Sequence, residues 1–209
     1  MTIAREGWPY IGALLVLGAG LLALRLPWPG GILLGLGLFT AFFFRDPERS
    51  VPQDKGLVVS PADGKVVQVI PAPEGHPLGP GTTQVSIFLS IFDVHINRAP
   101  IGGAIEKVEY HAGEFLPAFD DKASLRNEQN AVIVRGDGDR RVMFKQIAGL
   151  IARRIVFRKK VEEQVERGER VGLIKFGSRV DVFLPKGCEP RVKLGDRVQG
   201  GASVLAQWP

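Results

Sequence analysis

From Trp8 to Phe44 the sequence reads "WPYIGALLVLGAGLLALRLPWPGGILLGLGLFTAFFF", with a single charged residue, Arg25. A run this apolar cannot form the surface of a domain in water, so it must be covered by protein or by lipid. Crossing a bilayer takes about 20 apolar residues in helix. Trp8–Leu24 and Ile32–Phe44 each fall slightly short, and Pro27, Pro29, Gly30 and Gly31 break the run between them. A secretory signal peptide is a poor fit, because the run is too long and no A-x-A-like cleavage site follows it. The pattern predicts an apolar helical hairpin over residues 1–46, spanning or re-entrant, that anchors the chain in a membrane. Trp8, Tyr10 and Trp28 suit the two interfaces, and Arg5, Arg45 and Arg49 flank the run on the side expected to be cytoplasmic.

Residues 47–209 are sufficient for one medium domain. The chain has 209 residues and a net charge of +5. Beside an anchor, that excess predicts attraction to anionic lipid, about 1 kcal/mol for each basic residue near the surface. Nucleic acid is not an expected partner, since no helix-turn-helix, zinc or aromatic RNA-binding signature is present. Cys188 is the only cysteine. An intrachain disulfide is therefore impossible, no metal site is expected, and a reducing, cytoplasmic setting fits. A homo-oligomer is compatible with the sequence, which carries no signal for the number of copies.

Beyond the turn-rich "RDPERSVPQDKG", Val- and Ile-rich runs bounded by Gly, Pro or Asp predict strands. They fall at Lys65–Ile70, Thr83–Phe92, Ala104–His111, Ala131–Val134, Arg141–Ile147, Arg154–Phe157, Leu173–Leu184 and Arg191–Leu194. Only Ala123–Gln129 and Lys160–Arg167 read as short helices. The fold class is mainly β: a short-stranded sandwich, or a barrel-sandwich-hybrid-like domain, following an N-terminal apolar helical hairpin. "VERGERV" (165–171) and "VKLGDRV" (192–198) share V-x-x-G-[ED]-R-V, and "GDRVQGGASVLA" is similar to the turns of lipoyl and biotinyl carrier barrels. Either the domain is built from two similar halves or these are two unrelated glycine turns.

Four stretches carry chemistry. "SPADGKV" holds Asp63 in a tight turn. "FLSIFDVHINRAP" is an apolar strand that ends in Asp93, His95, Asn97 and Arg98. Polar groups bunched at a strand exit are typical of a site, and His95 is the best general acid/base candidate of the three histidines; His111 and His76 are weaker ones. "GLIARRIVFRKK" forms a basic cluster in which Arg153 and Arg154 are candidates for holding a substrate phosphate. "LIKFGSRVDVFLP" reads as a buried strand interrupted by Gly177-Ser178. A bulge accounts for that dipeptide, and so does chemistry. Ser178 lacks the strand-to-helix elbow of ordinary hydrolases. A serine that attacks its own chain fits better: Gly177 offers an unhindered carbonyl and tolerates a strained backbone, and Ser178 Oγ is the nucleophile of an N→O acyl shift.

The sequence resembles the short, proteobacterial-type phosphatidylserine decarboxylases. The resemblance runs through "FFFRDPER", "SPADGKV", "FDVHINRAP", "EFLPAFDDKASLRNEQN", "KQIAGLIARRI", "ERVGLIKFGSRVDVFLP" and "LGDRVQGG", in the family's order. It implies autocatalytic cleavage between Gly177 and Ser178, giving a β chain of residues 1–177 and an α chain of residues 178–209. The α chain then begins with a covalent pyruvoyl group made from Ser178, the only cofactor implied. It also implies a substrate, phosphatidylserine, whose amine condenses with the pyruvoyl carbonyl before carbon dioxide leaves, and a site on the cytoplasmic side of a bacterial inner membrane. Asp63 matches the aspartate that assists self-cleavage. Longer members carry two histidines in D-Y-H-R-x-H-x-P; here His95 matches the first and Arg98 stands at the second. Either His95 serves both cleavage and later proton transfer, or a buried Asp63 acts with less help. Two other readings stay open: the same chemistry on another serine lipid, and a non-enzymatic membrane-anchored adaptor or carrier. The latter lacks an M-K-M-like site.

Overall fold

The computed structural model describes residues 2–116, 126–149, 154–175 and 178–209. The chain divides into two compact units, Met1–Glu48 and Arg49–Pro209.

In the first unit, strand β1 (Thr2–Ile3) pairs antiparallel with β2 (Arg45–Asp46), so the two ends of the hairpin meet. Between them run helix α1 (Trp8–Ala23) and helix α2 (Pro27–Phe43). Each helix carries a proline in its first turn, where a missing N–H costs nothing. Glycine lets the helices approach closely: a Cβ on Gly18 would lie 3.1 Å from the Gly30 carbonyl, and one on Gly30 would lie 3.0 Å from the Gly18 carbonyl. Such small-residue contacts are those of helices packed in lipid. The outer faces expose Val16, Leu17, Leu24, Trp28 and Leu38. Arg5–Ala23 is long and apolar enough to cross a membrane. At the C-terminal end of α2, Arg45 caps the Phe42 carbonyl at 2.9 Å and lies over the Phe42 ring.

The second unit, over its described residues, is mainly β, with one short 3-10 helix at Asp137–Asp139. Its strands are β3 (Leu57–Val59), β4 (Gly64–Pro71), β5 (Thr83–Leu89), β6 (Ile96–Arg98), β7 (Gly103–His111), β8 (Gln129–Arg135) and β9 (Arg141–Ile147). They continue with β10 (Ile155–Phe157), β11 (Gln164–Val165), β12 (Arg170–Ile174), β13 (Ser178–Leu184), β14 (Glu189–Pro190), β15 (Arg197–Val198) and β16 (Val204–Gln207). Eight of them form a curled sheet in the order β11-β7-β8-β9-β13-β5-β4-β15. Two three-stranded sheets, β10-β12-β6 and β14-β16-β3, share its core. That core unites Val85, Val132, Phe144 and Val182 of the large sheet with Val171 and Ile174 of one small sheet and Val58 and Leu205 of the other.

The run Leu173–Leu184, expected to be one strand, is two strands in different sheets. Strand β12 ends at Ile174 beside β6 and β10, whereas β13 begins at Ser178 between β5 and β9. The apolar alternation continues across the break because both strands are buried, so periodicity alone hides it. Lys160–Arg167 is not a helix either: Glu162 has φ +70, and Gln164–Val165 pairs with β7 as a sheet edge. Arg191–Leu194 makes no strand. Residues 123–125 of the other expected helix lie outside the described residues, and Gln129 opens β8.

The two V-x-x-G-[ED]-R-V segments adopt the same turn. Glu169 N–H donates to the Glu166 carbonyl and Asp196 N–H to the Lys193 carbonyl. The intervening Gly168 and Gly195 have φ of +78 and +95, which places glycine where a type II turn requires it. In each turn the acidic side chain reaches back to the first N–H, Glu169 to Glu166 at 2.8 Å and Asp196 to Lys193 at 2.9 Å.

Candidate active site

One end of the eight-stranded sheet gathers the first residue of β13 and the last residue of β5, with Ser178 opposite Leu89. The next strand over begins at Gly64, immediately after Asp63. Gly64 has φ +152, and a Cβ there would stand 2.2 Å from the Phe88 carbonyl oxygen. Only glycine lets the start of β4 lie this close to β5, and the pairing of β4 with β5 brings the Asp63 turn to within two strands of Ser178.

Ser178 is fully buried, and its Oγ has no hydrogen-bond partner among the described residues. A buried polar atom in that state costs roughly 1–3 kcal/mol and calls for an explanation. Gly177, whose carbonyl is the expected target, lies outside the described residues.

His95 is also buried, just before β6. Its Nδ1 lies 3.0 Å from the Asp93 carbonyl oxygen, an acceptor, so Nδ1 carries the proton and Nε2 carries the lone pair. The His95 carbonyl accepts from Ile174 N–H at the end of β12. His95 is thereby held at the end of β6 nearer the segment that leads into Ser178. Asp93 is fixed in turn: one carboxylate oxygen accepts from Ser90 N–H and Oγ, the other from Arg197.

Asp63 accepts at both oxygens, from Arg49 at 2.6 Å and from Gly200 N–H at 2.8 Å. It is thus set as a charged carboxylate with a guanidinium at its side. Arg49, expected to flank the membrane run, is committed to this pair and to Gln199. The Gly200 contact ties the "VQGG" turn to the "PADG" turn. Pro61 O accepts from Arg98 N–H, joining that turn to β6. Arg98, standing at the second-histidine position, is buried and donates to the Gly168 carbonyl at 2.9 Å.

A chain of buried amides was not foreseen from the sequence. Asn130 donates to Gln146 at 3.0 Å, and Gln146 donates to Asn97 Oδ1 at 2.8 Å. Asn97 Nδ2 is left without a partner among the described residues, two positions from His95 on the same face of the chain. Arg154 is exposed, and its carbonyl accepts from Lys175 N–H, three residues before Ser178; Arg153 lies outside the described residues. Burial pushes the Cys188 thiol up to about 12, so it is not a nucleophile at neutral pH. Among the described residues, no group of three or more His, Cys, Asp or Glu side chains is placed to hold a metal ion.

Fold and site define a β-sheet enzyme whose candidate nucleophile lies within the chain, at a passage between two sheets, rather than on a surface elbow. Comparison with known proteins narrows this. The family model for phosphatidylserine decarboxylase matches residues 36–206. A phosphatidylserine decarboxylase proenzyme of Symbiobacterium thermophilum is 49% identical over 208 residues, covering 99% of this chain and 96% of the relative. Proenzymes of the same name from Syntrophus aciditrophicus and Burkholderia mallei are 46% and 44% identical, again over 99% of this chain. The chain belongs to the phosphatidylserine decarboxylase family.

Proposed function

We propose that this chain is a self-processing proenzyme that converts phosphatidylserine to phosphatidylethanolamine and carbon dioxide, using a pyruvoyl group made from Ser178. The observation that carries the reading is the buried Ser178 hydroxyl, unpartnered among the described residues, at the passage from β12 to β13. The name shared by its relatives, phosphatidylserine decarboxylase proenzyme, supports both the substrate and the processing.

In the processing step, Ser178 Oγ loses its proton to a base and attacks the Gly177 carbonyl carbon. The amide C–N bond breaks and an ester forms, freeing the Ser178 amine. Elimination across Cα and Cβ then releases Gly177 as the C-terminal carboxylate of residues 1–177. Water replaces the nitrogen, ammonia leaves, and residue 178 is a pyruvoyl group. His95 Nε2 is the base, because Nδ1 is committed to Asp93. Asp63, paired with Arg49, is a charged group that holds the turn leading into β4, two strands from Ser178.

The site suits the finished group. Ser178 is enclosed and forfeits no hydrogen bond within the described residues on conversion, and Asn97 Nδ2 is a buried donor in need of an acceptor. A pyruvoyl group supplies an electrophilic carbonyl that withdraws electrons from a bound amine. His95 Nε2 then delivers a proton to the substrate α-carbon, which balances the carbon dioxide lost. Arg154, and Arg153 with it, holds the substrate phosphodiester. The hairpin of α1 and α2 keeps the enzyme at the bilayer that contains its substrate, on the cytoplasmic side of the inner membrane.

Intact-mass measurement tests this. The wild type should yield two chains, the smaller starting at a pyruvoyl-blocked residue 178. Ser178→Ala should give one uncut, inactive chain. An active wild-type preparation consisting of a single intact chain would refute the mechanism.

A further inference from the structure

The opposite face of the large sheet carries chemistry that the decarboxylase reading does not use. Along β13, Val180, Val182 and Leu184 join Ser178 on the core side, whereas Arg179, Asp181 and Phe183 point the other way. On that second face a cleft of about 450 Å³ opens under the Pro/Gly loop that joins β4 to β5. One row of side chains crosses it, with Asp181 opposite Lys145, Lys145 opposite Ala131, and Ala131 opposite Glu109. Ala131 is small and leaves room beside the lysine.

Three groups in the cleft lack what they need. Lys145 is partly buried, and among the described residues no hydrogen bond or ion pair is made by its Nζ; the ammonium sits 5.7 Å from the Phe183 ring centre. Its cross-strand neighbour Asp181 is engaged by Arg179 at 2.7 Å and by Gln84 at 3.1 Å. His76 stacks on the same Phe183 ring with centroids 4.4 Å apart. Its Nδ1 accepts from Leu78 N–H, so the proton is on Nε2, which is buried without an acceptor among the described residues. Gln129 Oε1 is a buried acceptor without a donor among the described residues. Burial, with a smaller contribution from Lys145, pushes His76 down from its ordinary value, which keeps it a neutral N–H donor.

We propose that this cleft binds a phosphate group, inorganic or singly substituted. Lys145 supplies the charge, His76 Nε2 a second donor, and Gln129 Oε1 accepts the protonated phosphate oxygen. A carboxylate satisfies the two donors but brings no hydroxyl for Gln129. The volume exceeds that of a bare phosphate, so a substituent fits as well.

Acetylation of Lys145, followed by peptide mass spectrometry on the full chain, reads the site directly. Inorganic phosphate, titrated against chloride at equal ionic strength, should slow Lys145 labelling at least tenfold with a saturable profile. Uncut Ser178→Ala should be protected equally, which separates this cleft from the decarboxylase site and from the reading of that site. By calorimetry, Lys145→Met and His76→Phe should each weaken phosphate binding at least tenfold while keeping basal decarboxylation. A parallel arm uses phosphatidylcholine vesicles with and without phosphatidic acid. Protection by free phosphate identifies a soluble ligand, and protection only by phosphatidic acid identifies a lipid head group; both support the site. No protection by either probe, or unchanged phosphate affinity in both variants, overturns it.

Discussion

Arg179 follows Ser178 directly and is one of the largest fully buried side chains in the molecule. Its guanidinium is held by Asp181, Ser86 and Gln68. The pair with Asp181 lies out of solvent, where removing one partner strands the other's charge and costs about 3–5 kcal/mol. Arg179→Met should therefore lower unfolding stability by about that amount in a denaturant titration. Adding Asp181→Leu should recover part of the loss, because a buried pair is often replaceable as a pair. If the double variant were less stable than the single one, the stranded charge would not be the cause. In the sequence these residues are only the polar positions of an alternating strand. Nothing local shows that their face is covered, because the partners Gln68 and Ser86 lie 111 and 93 residues away. Asn97 stood out at the strand exit, but its link to Gln146 was hidden for the same reason, that partner being 49 residues distant.

Gly64 shows how one backbone position sets the relation between elements. With φ +152 and the Phe88 carbonyl against it, it lets the start of β4 lie close along β5 and sets the Asp63 turn beside the end of β5. Gly64→Ala should cost about 2–4 kcal/mol, from backbone strain and a contact that the sheet cannot relieve. It should also slow self-processing, read as the fraction of uncut chain on a denaturing gel over time. Normal stability with normal processing would show that this close approach is not required. The long strands were legible, since Val- and Ile-rich runs between turn residues marked Gly64–Pro71, Gly103–His111 and Arg141–Ile147 to within a residue. The two-residue edges Gln164–Val165 and Arg197–Val198 were not, because they are too short to show a period. Leu173–Leu184 misled for the opposite reason. Its period is unbroken, yet a pattern of burial does not say which sheet does the burying. The candidate site was legible as a set of motifs, but the Asp63–Arg49 pair and the amide chain depend on contacts that only the folded chain makes.

At the scale of the molecule, the change of sheet between the end of β12 at Ile174 and the start of β13 at Ser178 decides which pieces belong to which sheet. Residues 178–209 supply β13 and β15 to the large sheet, with β13 inside it, and β14 and β16 to a sheet otherwise completed by β3. A cut at Gly177-Ser178 thus leaves a short fragment threaded through the core of the long one. Cutting also changes the molecularity of folding. The intact proenzyme assembles as one chain, with β13 delivered by its own tether. An enzyme processed as proposed, once denatured, would have to find its missing central strand by collision, and a pyruvoyl residue 178 could no longer rejoin the peptide. Refolding of Ser178→Ala should be first order and independent of protein concentration. Recovery of processed enzyme from denaturant should fall steeply on dilution, and equal recovery at all dilutions would contradict it. Processing would then act as a one-way step in time: the order fold first, cut second is written into the strand order, and the mature enzyme keeps a shape that its separated chains have no fast way to find again.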